Sequence, residues 1–166
     1  MPATLEPATP ADVNAIAALR NAVALDLTTR FGTGAWSGCC TERAVGFDLR
    51  SSSVYVVRDR NEIVATLRLA TKKPWAIDRS WFTPVERPLY LTSMAVAPAF
   101  QRQGIGRQCL ADAVEIARVA PVDAIFLDAF DHASAGAGDF YRKCGYREVG
   151  RKIYRGVPLI YFERLI

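Results

Sequence analysis

Hydrophobic and polar positions repeat along this chain with two different periods, and the places where one period gives way to the other divide it into an ordered run of elements. Thr4 to Pro7 reads as a short strand. After Pro10, Asp12 begins a helix through Leu25, with Ile16, Leu19, Val23 and Leu27 roughly on one stripe. Thr41, followed by Glu42 and Arg43, starts a second helix that runs to about Arg50. Ser53 to Arg58 and Ile63 to Ala70 are β-rich runs joined by Asp59-Arg60-Asn61-Glu62, which predicts an antiparallel hairpin. Thr71 to Pro88 carries Pro74, Pro84 and Pro88 and no clean period, so it reads as an extended loop. Leu89 to Val96 is an apolar fourth strand, which Pro98 ends because it has no N–H to give to a ladder. Beyond it the period is helical: Ile105, Cys109, Leu110, Ala113, Ile116, Ala117 and Ala120 fall on one side, Arg107, Gln108, Asp112, Glu115 and Arg118 on the other. Val122 to Asp128 is a fifth strand, Gly136 to Lys143 a short helix, and Tyr146 to Ile153 and Leu159 to Arg164 the last two strands.

Strand, two helices, three strands, helix, strand, helix and two strands make a mixed α/β sheet covered by helices. The 166 residues fit one domain, 1–166, and 51% hydrophobic content is enough for a core. No repeat or linker interrupts it. No apolar run is long enough to span a bilayer, and Met1 to Pro10 lacks the charged start and apolar stretch of a signal peptide, so a soluble, cytoplasmic protein is expected. Cys39, Cys40, Cys109 and Cys144 show no metal-ligand spacing and are expected to be free thiols. The net charge of +4 is modest, but Arg142, Lys143, Arg147, Arg151, Lys152 and Arg155 crowd the run 142–155 against Glu148 alone. That concentration favours an anionic ligand, whereas the interleaving of aromatic and basic residues typical of RNA-binding modules is missing, so no nucleic-acid partner is expected.

The chemistry lies between the fourth strand and the helix after it. Gln101-Arg102-Gln103-Gly104-Ile105-Gly106 opens that helix, where first-turn amides have no acceptor, the dipole favours an anion, and glycine lets a ligand approach the backbone. A phosphate is the natural occupant. A nucleoside-triphosphate loop would need Gly-Lys-Ser/Thr, but Gly106 is followed by Arg107 and Gln108; a dinucleotide fingerprint would need a third glycine where Cys109 stands.

With the strand Leu-Thr-Ser-Met-Ala-Val before it, Gln101-x-x-Gly104-x-Gly106 resembles the pyrophosphate loop of the GNAT superfamily of acyl-CoA N-acyltransferases. Phe140-Tyr141-Arg142-Lys143-Cys144-Gly145-Tyr146 is similar to that family's Phe-Tyr-x-x-x-Gly-Phe signature, with Tyr146 in place of the final phenylalanine. The resemblance runs from about Leu89 to the C-terminus and more loosely before it. It implies a mixed, mostly antiparallel central sheet of about seven strands and about four helices, splayed between its fourth and fifth strands. The pantetheine arm of acetyl-CoA, the co-substrate, would lie in that splay, and no metal is expected. It further implies that Arg102, Gln103, Gly104, Ile105, Gly106 and Arg107 bind the pyrophosphate, and that the main chain of Met94, Ala95 and Val96 pairs with pantetheine and receives the charge on the carbonyl oxygen. Ser134 takes the place of an asparagine that relatives set near pantetheine. Tyr141 matches the tyrosine that acts as general acid on the departing thiolate, a phenol of pKa about 10 facing a thiol near 8.5.

Amine attack also needs a base, and many relatives place a glutamate on or beside the fourth strand. Here that strand reads Thr92-Ser93-Met94-Ala95. Asp78, Glu86, Asp128, Asp131 and His132 remain as candidates, alongside deprotonation through water. For the acceptor, Phe31, Trp36, Trp75, Trp81 and Phe82, with Asp78 and Glu86, would suit an apolar or cationic amine; the same rings would equally anchor the long loop. A small-molecule amine acetyltransferase is therefore expected, with acetylation of a protein N-terminus or lysine, or a coenzyme A-binding sensor without turnover, as alternatives. Relatives are often dimers, so a homodimer is compatible with the resemblance, and no membrane partner is expected.

Overall fold

A computed structural model of the protein describes residues 4–166. Seven strands form a sheet in the order β1-β2-β3-β4-β5-β7-β6: β1 (Glu6–Pro7), β2 (Ser53–Asp59), β3 (Glu62–Ala70), β4 (Pro88–Val96), β5 (Ala124–Phe130), β6 (Arg147–Tyr154) and β7 (Val157–Leu165). The helices are α1 (Val13–Phe31), α2 (Glu42–Ser51), α3 (Ile105–Val119) and α4 (Gly138–Lys143). No helix of the described residues is long and apolar enough to cross a membrane. Residues cluster into two compact units: one of the chain up to Leu69 with Ser93–Ala113, the other of Ala70–Thr92 with Val114–Ile166. β4 and α3 run through both.

In the first unit β1 pairs antiparallel with β2, and β2 with β3. Arg60 and Asn61 close that hairpin at φ 47° and 72°, the two successive positive angles that match the twist of the flanking strands. α1 outruns the expected end at Leu25 because nothing breaks it before Gly32, which turns away at φ 83° after its N–H caps the Thr28 carbonyl. α2 starts where the sequence predicts, with the Thr41 hydroxyl accepting the Ala44 N–H at 3.1 Å. Ile16, Ala17, Val45, Val54 and Val56 pack together beneath these helices. The N-terminal half of α3 buries Cys109, Leu110 and Ala113, and Asp112 accepts the Leu5 N–H at 2.9 Å. Burial pushes the Cys109 thiol up to about 12, which leaves it an inert core group.

In the second unit β4 runs parallel to β5, and β5 and β6 both run antiparallel to β7. The β4–β5 ladder has only three rungs, Pro88 with Ala124, Leu89 with Ile125 and Tyr90 with Phe126. Ile77, Phe82, Tyr90, Ala124, Phe126, Leu159 and Tyr161 form the core on one face, with Phe82 stacked 4.3 Å from Phe126. α3 stops at Val119, ahead of Pro121, so Ala120 is exposed rather than part of the apolar stripe.

The segment between β3 and β4 has one 3-10 turn, Arg79–Trp81, and is otherwise irregular, as its prolines predict. Side chains tie it down. Tyr161 donates to the Ala76 carbonyl, and Lys73 to that of Ile77 at 2.8 Å. Lys152 pairs with Asp78 at 2.6 Å, and the buried Glu163 accepts from the Thr83 amide and hydroxyl at 2.9 and 2.7 Å. Phe82 is 4% exposed and anchors the segment, whereas Trp75 is 84% exposed and anchors nothing. Phe82→Ala should therefore lower the free energy of unfolding by about 3–5 kcal/mol, and Trp75→Ala should change it by less than about 0.5 kcal/mol, as read from urea denaturation.

Candidate active site

In the first unit the site residues follow a break in β4. Ser93 sits at φ 53°, a left-handed angle that a β-strand serine seldom takes, and it interrupts the alternation just before Met94, Ala95 and Val96. Ala95 is buried, with Met94 and Val96 partly so. The Gln101 side chain reaches back to donate to the Val96 carbonyl at 3.0 Å, and Gln103 donates to that of Ala99 at 3.1 Å. Those two bonds hold the turn against the end of the strand.

Arg102 and Gly104 both have positive φ, 62° and 83°. Alternation of left- and right-handed residues points successive N–H groups to one side and makes a concave anion seat. Gln108 is the first residue of α3 to bond back, to the Gly104 carbonyl at 3.0 Å, so the N–H groups of Ile105, Gly106 and Arg107 have no acceptor inside the helix. An ideal Cβ on Gly104 would meet nothing within 4 Å, so it is the left-handed angle, not crowding, that calls for glycine there.

In the second unit α4 presents Tyr141, 8% exposed, among aromatic rings: Phe140, Phe162 and Tyr146 have their centroids 5.3, 5.6 and 5.9 Å away. Burial, with the charges of Asp128 and Cys144 adding to it, raises its pKa above the ordinary phenol value. Tyr141 is thus a neutral hydrogen-bond donor, too weak an acid to hand its proton outright to a thiolate near 8.5. Two polar groups of this unit are buried with no partner among the described residues, the Thr92 hydroxyl and the Tyr146 hydroxyl. Thr92 lies two residues beyond the last rung between β4 and β5. An orphaned buried hydroxyl costs free energy that a ligand can return. Neither group carries a sequence signal: threonine is an ordinary strand residue, Tyr146 reads as a conservative replacement, and the serine at 93 gives no hint of its left-handed turn.

The five candidate bases separate clearly. Asp78 is held well below the usual carboxylate range by hydrogen bonds from Lys152 and Ser80. Asp131 pairs with Arg151 at 3.1 Å, and the His132 ring accepts the Ala135 N–H at 2.8 Å and the Ser134 N–H at 3.2 Å, so it serves to close a turn. Ser134 is exposed on that turn, and Glu86 is exposed in the loop after β3. Asp128 differs. It is half-buried on β5, no side chain among the described residues bonds to it, and burial pushes its carboxyl up to about 6. The basic run is not a free anion surface either, since Arg142 pairs with Asp139 and Glu148, Arg147 with Glu163, Arg151 with Asp131 and Glu148, and Lys152 with Asp78. A cavity of about 230 Å³ beside α4, lined by Phe130, Asp131, His132, Arg142, Arg151 and Ile160, owes its polar lining to these pairs.

The sequence model of the Acetyltransferase (GNAT) family matches residues 21–146. The chain belongs to this family. Solved structures agree on the GNAT fold. A GCN5-related N-acetyltransferase from Rhodopseudomonas palustris is 16% identical, with TM-score 0.74 over 100% of this chain and 97% of that one. A ribosomal-protein-alanine N-acetyltransferase from Brucella melitensis is 22% identical, with TM-score 0.70 over 98% and 99%. An acetyltransferase from Salmonella typhimurium with its cofactor acetyl-CoA is 17% identical, with TM-score 0.70 over 99% and 94%. No curated protein matches the sequence. The GNAT chain is accordingly an acyltransferase, with the seven-stranded mixed sheet of that fold.

Asp128 gives this site a stability signature. Its folded pKa, about 6, lies above the ordinary 3.8, so the stability it lends is fully present below about pH 3.8 and is lost as pH rises through about 6. Asp128→Asn should remove that loss: the variant should resist urea more than the parent at pH 8, with the gap closing by pH 4.

Proposed function

We propose that this GNAT protein is an acetyl-CoA-dependent N-acetyltransferase that acetylates the primary amine of a small molecule by direct attack in a ternary complex. The observation that carries the reading is the anion seat at the start of α3, where Arg102 and Gly104 turn left-handed and the N–H groups of Ile105, Gly106 and Arg107 have no acceptor in the helix. Acetyl-CoA would supply an activated acyl group on a thiol that can leave.

The main chain from Gln103 to Arg107 binds the pyrophosphate in this reading, with Arg102 and Arg107 adding positive charge. Main-chain groups of Met94, Ala95 and Val96, beyond the Ser93 turn, receive pantetheine and the charge that gathers on the thioester oxygen. Ser134 adds a peripheral contact from its exposed turn. Tyr141 donates a hydrogen bond to the thiolate as the C–S bond breaks, and its raised pKa keeps it protonated for that task. A buried donor aimed at a developing charge contributes most where water is excluded. The missing strand glutamate does not bar turnover, since another carboxylate without a partner stands on β5.

Two measurements check the proposal. Thiol release from acetyl-CoA, followed over a panel of small amines and N-terminal peptides, should occur with at least one small amine. Release with peptides alone would move the acceptor to proteins, and tight binding with no release on any acceptor would make the chain a sensor. Tyr141→Phe should lower kcat at least about tenfold while the acetyl-CoA Kd stays within about twofold, and an unchanged kcat would remove Tyr141 from the reaction.

A further inference from the structure

We propose that Arg20 holds the carboxylate of the acceptor, so that the small amines this chain acetylates are amino acids. The inference rests on the acetyltransferase reading above and names the acceptor class within it.

Arg20 lies on α1 one turn beyond Ile16 and Ala17, which pack with Val45 of α2 and Val54 and Val56 of β2. Its side chain is 11% exposed, and one of its nitrogens is engaged: Nη1 donates to Asp48 of α2 at 2.9 Å and to the Cys40 sulfur at 3.9 Å. The other two, Nε and Nη2, are buried with no partner among the described residues. Those two nitrogens form the flat edge of a guanidinium, the edge that takes both oxygens of one carboxylate. Arg58, in the same unit, shows the ordinary arrangement, with its Nε donating to Glu6 and its Nη2 to Asp12. At Arg20 the edge is bare.

Charge is out of balance at the same place. Asp48 also pairs with Arg68 of β3 at 3.5 Å, and no other acid among the described residues pairs with either arginine, so both guanidiniums share a single carboxylate. Arg68 stands opposite Val54 in the β2–β3 ladder, and Val54 packs beneath the helices, so Arg68 faces them too. A buried charged edge without an acceptor is costly to keep for structure alone. A second carboxylate fills the edge and restores neutrality.

The position suits an acceptor. Arg20, Asp48 and Arg68 belong to the unit that also contains Ser93–Ala113, with the end of β4 and the anion seat. β4 is the sheet neighbour of β3, the Ala97 N–H donating to the Val64 carbonyl at 2.8 Å, and α1 lies against Pro98–Phe100. The anion seat takes the diphosphate of acetyl-CoA, which leaves the Arg20 edge to an anion of other origin. An amino acid brings that anion and the nucleophile in one molecule, and holding the first fixes the direction of the second. Cys40 belongs to the segment 32–41 between α1 and α2, which side-chain bonds tie to α1, Asn21 with the Cys40 main chain at 2.7 and 2.9 Å and Thr28 with Ser37 at 2.6 Å. An entering carboxylate parts this segment from Arg20, and the bare edge makes the closed arrangement the costly one.

The test measures kcat/KM with saturating acetyl-CoA for a panel of amino acids, each beside its amide. At least one amino acid should be acetylated at least about fiftyfold more efficiently than its amide, mainly through KM, although the amide's amine is the less basic and the readier nucleophile near neutral pH. Arg20→Lys keeps the charge opposite Asp48 and loses the two-nitrogen edge; it should bind acetyl-CoA within about twofold of the parent and bring the acid-to-amide ratio below about fivefold. Arg20→Gln, as second variant, should lower the ratio likewise. A parent ratio near one, as for an edge satisfied by trapped water, or a ratio that both variants leave unchanged, overturns the role of Arg20 and leaves the acetyltransferase reading standing. Added propionate should not speed acetylation of the amides; stimulation of more than about fivefold would put the carboxylate on a separate effector and overturn its assignment to the acceptor. A parent that binds acetyl-CoA yet acetylates no amino acid, amide or other small amine overturns both readings.

Discussion

The parallel ladder between β4 and β5 stops at its third rung, and a strand that leaves its partner inside a sheet must satisfy its hydrogen-bonding groups in some other way. Ordinary cores solve this with water, a side chain or a bulge. Here β4 turns left-handed at Ser93, Thr92 is left with a buried hydroxyl and no partner, and Asp128 on β5 has no cation. Each costs the folded chain free energy of the kind that a ligand's polar groups offset.

The start of α3 follows the same logic at another level of structure. Helix ends always leave amides without acceptors, and most are capped by a side chain. α2 shows the usual solution, with Thr41 accepting from Ala44. At Ile105 the preceding turn instead passes through two left-handed residues, and Gln101 and Gln103 tie it back to the carbonyls of Val96 and Ala99. The contrast between the two helix starts, in one chain, is what the proposed phosphate site rests on.

The elements were legible because their physics is local. Thr41 announces α2, Pro98 ends β4, and Pro74 and Pro84 keep the segment before β4 irregular. Boundaries slipped where tertiary contacts set them: α1 runs on to Phe31, and β7 starts at Val157 because it extends the hairpin with β6. For the site, the glycine turn and the Phe140–Tyr146 signature stand in the sequence as motifs. The pairing of charges does not. Six basic residues in 142–155 read as an anion surface, yet four of them meet acids, three of those acids, Asp78, Asp131 and Glu163, more than fifteen residues away in sequence. Likewise nothing in the order of residues distinguishes Asp128 from Asp131; only the ladder's length and the partner Arg151 do so.

Amide hydrogen exchange with and without acetyl-CoA tests the central claim most directly. Protection at the N–H groups of Gln103, Gly104, Ile105, Gly106 and Arg107 should rise sharply once acetyl-CoA is bound, while those of Ala44 and Val45 at the start of α2 stay as they were. Binding that leaves the 103–107 amides exchanging at their free rate would contradict the account.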